Sequence, residues 1–593
     1  MKQLQHLDLS GSNFRGSVPH QLSNITSLRY LRLGYNDLLL DNLNWLTLLS
    51  NMQFFEKNSA NLSRMDNLIH VLNRLPSLSE LHLKRCGLHN RHLSGIQVNS
   101  TLLGSLQYLD LGQNYFGSLV PMVLQNFSFL RDLNLSENCF PSQKNCLGGS
   151  VPMCLGEFKS LESFSLRFNR FSHVEGGILS FIRSARRMKE LDLSLNVLFE
   201  ELLESHSNSS TFRSHQLEKL VLSYNELTGH IPTETIGQLS LLRVLYLDNN
   251  NLSGSSPSFT EQLLLLEEFY LSSNQISGGI PSFPSSLQTI DLSNNCINGT
   301  IPHFASSLKY IDLSYNNIDG SIPNFPSNLS YIDLSHNRIN GGIPCFPSST
   351  ATIIINHNQF CGPFSHLLSQ ESKLSLLGTL DLSDNLITGF IPQYILHTMP
   401  NLAFLNLANN KLDGTIPDSL CELTELDDLD LQGNRFSGMI PDCWNYSFLF
   451  SIVLSSNKLS GSISSSFLQI SSLEYLNLSN NTLQGEIPSF ACWPDMEILD
   501  LGGNNLSGTI PLNNTHGHTD LTILRLRENH LEGQIPSALC SCPRLRIIDL
   551  ADNDLAEHIP SCFGNFTFIS QPDTNGGYTM GASITEVFQG LAA

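Results

Sequence analysis

Three aspartates, Asp291, Asp312 and Asp333, recur at intervals of 21 residues, each inside the phrase I-D-L-S. Like carboxylates set side by side raise one another's pKa, and such pairs can do acid/base work or gather a calcium ion. The competing reading is a column of solvated side chains on an open polar surface. That reading is favoured, because Asp at this place is common in a frame repeated along the whole chain. The stretch "THGHTD" (515–520) offers His516 and His518 as a metal pair, but no third ligand lies nearby in its Thr/Asn/Gly-rich loop. Cys540 and Cys542 lack the second cysteine pair that a zinc site of this spacing needs. No Ser/His/Asp arrangement, phosphate loop or zinc helix is present. The expectation is a protein that is not an enzyme and holds neither metal nor cofactor.

The frame that carries those aspartates is L-x-L-x-x-N. It begins at Leu7, Leu31, a degenerate Phe55, Leu81, Leu109, Leu133, Phe164, Leu191, Leu220, Leu245, Phe269 and Ile290. It continues at Ile311, Ile332, Ile353, Leu380, Leu405, Leu429, Ile452, Leu476, Leu499, Leu524 and Ile548. In "IDLSYN" (311–316), Ile311 and Leu313 alternate with Asp312, as a short strand with one buried face requires. The Asn that follows can satisfy backbone groups of neighbouring coils that would otherwise be buried unpaired. Only Ser12, Ala60 and Cys86 break that column. A G-x-[IV]-P phrase comes next, as in "GTIP" (299–302), where Gly permits a bend and Pro stops further pairing. A period of 20–29 residues in this frame predicts coils that stack and share one long core, since no single coil can bury its aliphatic face alone.

Composition narrows the partners. The chain of 593 residues carries 53 acidic and 32 basic residues, a formal net charge of −21. That sign repels phosphate backbones, so nucleic acid is excluded as a partner. Hydrophobic content of 41% argues against disorder, while charged residues at 14% leave uncharged Ser and Asn to cover much of the surface. The opening "MKQLQHLDLSGSNF" has no apolar core of a secretory signal. No run approaches the roughly 18 apolar residues of a membrane span.

The consensus L-x-x-L-x-L-x-x-N-x-L-x-G-x-I-P resembles the plant-specific class of extracellular leucine-rich repeats. "DNLNWLTLLSNMQFF" (41–55) and "VLNRLPSLSELHLKRCGL" (71–88) are similar to the early repeats of plant receptor-like proteins. "IPSCFGNFTFIS" (559–570) looks like the entry to the island that interrupts their late repeats. The resemblance implies an α/β repeat fold: a leucine-rich-repeat solenoid of about 23 repeats, a curved superhelix with a concave parallel β-sheet. Its organisation would be a solenoid over 1–567, with short 21-residue repeats at 275–358 and enlarged ones at 139–225, followed by an island-like start at 568–593. Members of the family have a signal peptide, a cysteine-paired N-terminal cap and a transmembrane helix. The sequence is therefore read as the middle of a longer receptor or as a truncated gene product.

Cys421 lies four residues after Pro417 and Cys443 two after Pro441; Cys540 and Cys562 repeat the relation to Pro536 and Pro560. Both pairs are 22 apart, which places partners on adjacent coils and argues for disulfides in an oxidising compartment. Cys139, Cys146 and Cys154 cluster in an enlarged repeat and can supply another bridge; Cys345 with Cys361 is a further candidate, and Cys492 is unassigned. Cys86 is expected to be a buried free thiol. Glycosylation sequons fall at Asn24, Asn61, Asn99, Asn126, Asn134, Asn208, Asn251, Asn298, Asn328, Asn445, Asn477, Asn480, Asn505, Asn513 and Asn565. Composition alone would give roughly nine, so the excess is mild. Asn134 and Asn477 would sit on the strands themselves.

Side chains between the buried leucines face outward from the sheet, and that surface is the expected binding face. Its candidates are Arg167, Phe168, Tyr224, Tyr246, Asp248, Tyr270, Tyr310, Tyr315, Tyr331, His336 and His357. Tyr and Arg are frequent anchors of protein interfaces, and clustering on consecutive coils lifts this group above scattered decoration. The two histidines could make binding pH-sensitive. The resemblance implies the ligand-binding ectodomain of a plasma-membrane receptor-like protein, exposed to the extracellular side. It would recognise a peptide, protein or microbial elicitor and signal in defence through a partner receptor kinase. Two alternatives are a secreted inhibitor of a cell-wall-degrading enzyme, similar to polygalacturonase-inhibiting proteins, and a truncated decoy.

Overall fold

The structure, a computed structural model, describes residues 3–40, 42–65, 68–93, 105–117, 120, 124, 127, 129–139, 146–202, 215–259, 262–368, 373–444, 448–489, 495–512 and 520–565. The expected island start at 568–593, the pair His516 and His518, and Cys492 lie outside the described residues. By its contacts the chain divides into two compact units, Met1–Gly362 with Ser369–Leu377, and Pro363–Leu368 with the chain from Gly378 onward.

Each repeat of the frame contributes one strand of three residues, and all of these strands are parallel. In the first unit they run from His6–Asp8 to Thr352–Ile354, and in the second from Thr379–Asp381 to Ile547–Asp549. The register is leucine on leucine: Leu7 faces Leu31, Ile290 faces Ile311, and Ile311 faces Ile332. In the second unit Leu380 faces Leu405 and Leu524 faces Ile548. The middle residue of a strand is buried while its neighbours are half-exposed, as in Tyr310–Asp312 and Tyr331–Asp333. This is what a period-2 pattern with one core-facing side produces. Parallel strands need a long return path, and here many returns pass a second short strand, such as Gln275–Gly278 or Lys458–Gly461, and often a one-turn helix. Asp418–Leu420 and Ser537–Ser541 are two such turns, each opened by the proline of the G-x-I-P phrase, Pro417 and Pro536. Proline presets φ for the turn and lacks the N–H that a helix start leaves unpaired.

Asparagine closes each coil onto the one before it. Asn316 is buried; its Nδ2 donates to the carbonyls of Leu313 and Ser314 in its own coil and of Leu292 one coil earlier, at 3.0–3.2 Å. Its Oδ1 accepts from the backbone N–H of Ile297 at 2.9 Å. Asn337, Asn410, Asn481 and Asn529 repeat the pattern. The residue before each of these asparagines is left-handed, whatever its type: Tyr315 has φ 53°, His336 and His357 have φ 52°, and Ser273 has φ 54°. That conformation is unfavourable for side chains other than Gly, Asn and Asp. Its recurrence in every coil shows that it belongs to the turn and not to a particular ligand site.

Where the column is broken, other donors take over. Cys86 is fully buried, and its Sγ donates to the Lys57 carbonyl at 3.0 Å, the place an asparagine amide would take. Burial pushes this thiol up to about 11, as expected of an inert structural cysteine. In the coil of Phe55, Ala60 has no amide to offer. Lys57 stands where the frame puts its second leucine, and it too is fully buried, with Nζ 3.4 Å from the carbonyls of Asn36 and Asn58. Burial lowers its pKa.

Two outcomes follow. Asn316→Ala removes two N–H donors shared among three carbonyls and one accepted bond, and should cost about 2–3 kcal/mol in urea unfolding, against less than about 0.5 kcal/mol for the exposed Asn317→Ala. Lys57→Met should be neutral or stabilising at pH 7, because a base with a depressed folded pKa destabilises the native state below that pKa. The gain should shrink as pH rises toward 10.5, where the unfolded-state lysine also loses its proton; melting curves from pH 7 to 10 measure it.

Candidate binding face on the central strands

Five consecutive strands of the first unit, with the turns that follow them, gather most of the expected binding residues. They are Val244–Tyr246, Glu268–Tyr270, Thr289–Asp291, Tyr310–Asp312 and Tyr331–Asp333. Their outward side chains form columns because the strands pair in exact register. In the column before the buried leucine position, the rings of Tyr310 and Tyr331 stack at 4.3 Å and 7°. At the turn after the strand, Tyr315 stacks on His336 at 4.0 Å and His336 on His357 at 4.2 Å. Tyr246 meets Tyr270 edge-on at 4.7 Å, and its hydroxyl donates to Glu268. Asp248 accepts from Ser223 Oγ and from Asn249 Nδ2.

Between the two aromatic columns lies the aspartate column, and here the expectation of an open, solvated surface needs correction. The three aspartates are half-buried. Oδ1 of Asp312 accepts from the backbone N–H and the hydroxyl of Ser314, at 3.0 and 2.7 Å, and Asp291 and Asp333 hold Ser293 and Ser335 in the same way. The flanking tyrosines narrow their access to water. Burial, helped by the like charge of Asp333, pushes Asp312 up to about 7, and burial also raises Asp333. Burial beside these carboxylates raises Tyr310 and takes Tyr331 up to about 12.

The remaining candidates stand apart. Tyr224 is 54% exposed, and Arg167 and Phe168 are exposed two strands further upstream, outside the stacked group. Arg167 donates to Ser194 Oγ at 3.2 Å. Two outward surfaces were not anticipated. Across the first coils the rings of His6, Tyr30, Phe54, His82 and Tyr108 follow one another at 4.0, 4.2, 5.0 and 4.5 Å. Aligning the position before each leucine would have shown four of these five; His82 joins from the position after it. In the second unit Val453, Tyr475, Ile498 and Ile523 form an apolar stripe 4–8% exposed, with Ile547 against it. Its signal is apolar residues on four consecutive coils, Val453 after the buried frame position and Tyr475, Ile498 and Ile523 before it.

Bridges join Cys421 to Cys443, Cys540 to Cys562 and Cys139 to Cys146. Cys345 and Cys361 do not pair: both are exposed, one in the loop after Pro344 and the other on the strand Gln359–Pro363. Of the sequons, Asn24, Asn61, Asn251, Asn298, Asn328, Asn480 and Asn505 are exposed. Asn134 and Asn477 are half-buried on strands, each accepting from the N–H two residues on. Asn99, Asn126, Asn208, Asn445, Asn513 and the side chain of Asn565 lie outside the described residues. Among the described residues no group of three or more His, Cys, Asp or Glu is placed to hold a metal, and no helix is long and apolar enough to cross a membrane.

The repeat is matched by family models described as leucine rich repeat, at residues 215–276, 373–436, 3–25, 286–306, 307–329, 328–350, 520–542 and 544–566, and as two-copy leucine rich repeats at 471–514. The chain belongs to the leucine-rich-repeat family. Its relatives are plant receptor-like proteins. Receptor-like protein EIX1 of Solanum lycopersicum is 32% identical over 43% of this chain, and EIX2 is 31% identical over 32%. The matched regions span 24% and 17% of those relatives' length. Among solved structures, the Arabidopsis receptor kinase HAESA, in complex with the peptide hormone IDA and the co-receptor SERK1, superposes with a TM-score of 0.73 at 26% identity. That match covers 95% of this chain and 88% of the other. PEPR1 with AtPEP1 gives 0.78 at 26% identity, covering 95% and 78%.

Because the folded pKa of Asp312 lies above its unfolded value, ionisation destabilises the native state. The penalty is absent below about pH 4, grows toward pH 7 and is complete above it. Asp312→Asn should therefore raise the melting temperature at pH 8 by an amount worth on the order of 1 kcal/mol after solvent screening, and leave it unchanged at pH 4.

Proposed function

We propose that this chain is the ligand-binding part of a plant cell-surface receptor-like protein, recognising an extracellular peptide or protein on its strand face and signalling through a partner receptor kinase, with defence as the setting. The observation that carries the reading is the stacked surface of Tyr310, Tyr331, Tyr315 and His336 on in-register strands. The solenoid does not need these side chains: its core is built by the leucines and its coils are joined by the asparagines. Large rings held by neighbours lose little entropy when a partner covers them, which is why aromatic side chains anchor interfaces. The complex of HAESA with a peptide hormone and a co-receptor supports a peptide ligand and a second receptor chain. The relationship to EIX1 supports the receptor-like type, in which catalysis is left to a partner. On this reading the chain binds and does not catalyse.

Selection of a random peptide library on the purified chain tests it. Selected peptides should lose at least tenfold in affinity against Tyr310→Ala/Tyr331→Ala, with the circular-dichroism melt preserved. Binders indifferent to that pair would overturn the reading.

A further inference from the structure

Charge on the strand face is compensated in some places and not in others. Near the first strands, Arg32 lies 3.8 Å from Asp8 and hydrogen-bonds Glu56. In the second unit Arg525 lies 3.8 Å from Asp500, and Arg527 4.0 Å from Asp549 and 3.2 Å from Asp552. Burial and the like charges of Asp381, Asp384 and Asp428 raise Asp430 in the second unit, but in the patches above a cation on an adjacent coil answers the outward acid. The five strands from Val244 to Asp333 depart from this. They present Asp248, Glu268, Asp291, Asp312 and Asp333, and the segments 244–249, 268–273, 289–294, 310–315 and 331–336 contain no Lys or Arg. Serine takes Oδ1 of each of the three central aspartates, and the second oxygen takes no part in those bonds. Half-burying like charges side by side is unfavourable, and the cations just before these segments, Arg243 and Lys309, are engaged by Glu267 and Gln288 instead.

We propose that the face between Tyr246 and His336 docks an extended cationic peptide segment, with Lys or Arg at alternate positions over about six residues. This rests on the binding function proposed above and names the chemistry of its ligand. Strands about 4.8 Å apart make the four steps from Tyr246 to Tyr331 about 19 Å, the span of about six extended residues at roughly 3.3 Å each. Alternate side chains of such a segment face the sheet about 6.6 Å apart, and the long stems of Lys and Arg cover the difference from the aspartate spacing. Guanidinium and ammonium groups gain twice on this surface: from the free carboxylate oxygens, and from tyrosine, whose ring attracts cations. The exposed ring of Tyr315 (56%) offers the larger accessible area. Arginine's planar fork suits the in-register aspartate pairs better than lysine.

The test titrates three sets of acetylated, fluorescein-labelled heptapeptides onto the full chain by anisotropy. All share the same Tyr and Leu positions, with the alternate positions filled by Lys/Arg, Gln or Glu. The Lys/Arg set should bind at least tenfold more tightly than the Gln set, the Glu set most weakly, and the preference should fall with added salt. Asp312→Asn/Asp333→Asn should abolish the preference, with Asp291→Asn/Asp333→Asn as a second pair should the first not fold. Asp319→Asn/Asp413→Asn, which removes the same charge at exposed positions outside this face, should leave it within twofold. A preference that survives both aspartate pairs overturns the inference. Gln peptides that bind as tightly as Lys/Arg ones, and still need Tyr310 and Tyr331, overturn it while the proposed function stands. Failure of every set to bind, or binding that ignores the tyrosines, counts against both.

Discussion

A stacked-coil protein has to bury backbone it cannot pair within a single coil, and the buried asparagine solves this. Its amide is one of the few side chains that donates twice and accepts at once, so one residue ties its own turn and the preceding coil together. Asn316 contacts both Leu292 and Ile297 of the preceding coil. The leucines supply the larger share of favourable free energy by leaving water, but apolar contact is non-directional and would tolerate slippage. The asparagine bonds do not tolerate it. They hold the strands in register, and register is what turns single outward residues into columns.

This division of labour frees the outward positions. A side chain before or after the buried leucine position touches its counterparts one coil away, so tyrosine above tyrosine stacks and aspartate above aspartate repels. The surface therefore records the order in which residue types follow one another along the repeats. Aromatic continuity gives the ring columns, acidic continuity gives the raised carboxylates, and alternation of sign gives the compensated patches at Arg32 and Arg525.

Much of this was legible because the frame is periodic. The strand at each L-x-L, the buried asparagine and the bridges at matching offsets from proline need only a column alignment. The rest depended on neighbours that alignment does not weigh. Lys57 reads as a flaw in the frame, and only the missing amide of Ala60 explains why a buried cation is tolerated beside those carbonyls. Asp312 reads as a solvent-facing acid until the rings flanking it are given their size. His82 completes an aromatic run by crossing from one column to the next, which no single column reveals. Cys345 and Cys361 share no offset from proline, and they do not meet.

The three turns from Ile290 to Ile353 are nearly interchangeable: each advances the register by 21 residues and begins and ends on equivalent atoms. A gene segment encoding one of them could be lost or doubled by unequal crossing-over without cutting any coil in half. The asparagine stack would close over the seam, while the tyrosines would move by one strand spacing against everything downstream. Such a protein would change its ligand by whole steps, trading one recognition surface for another without first passing through a misfolded intermediate.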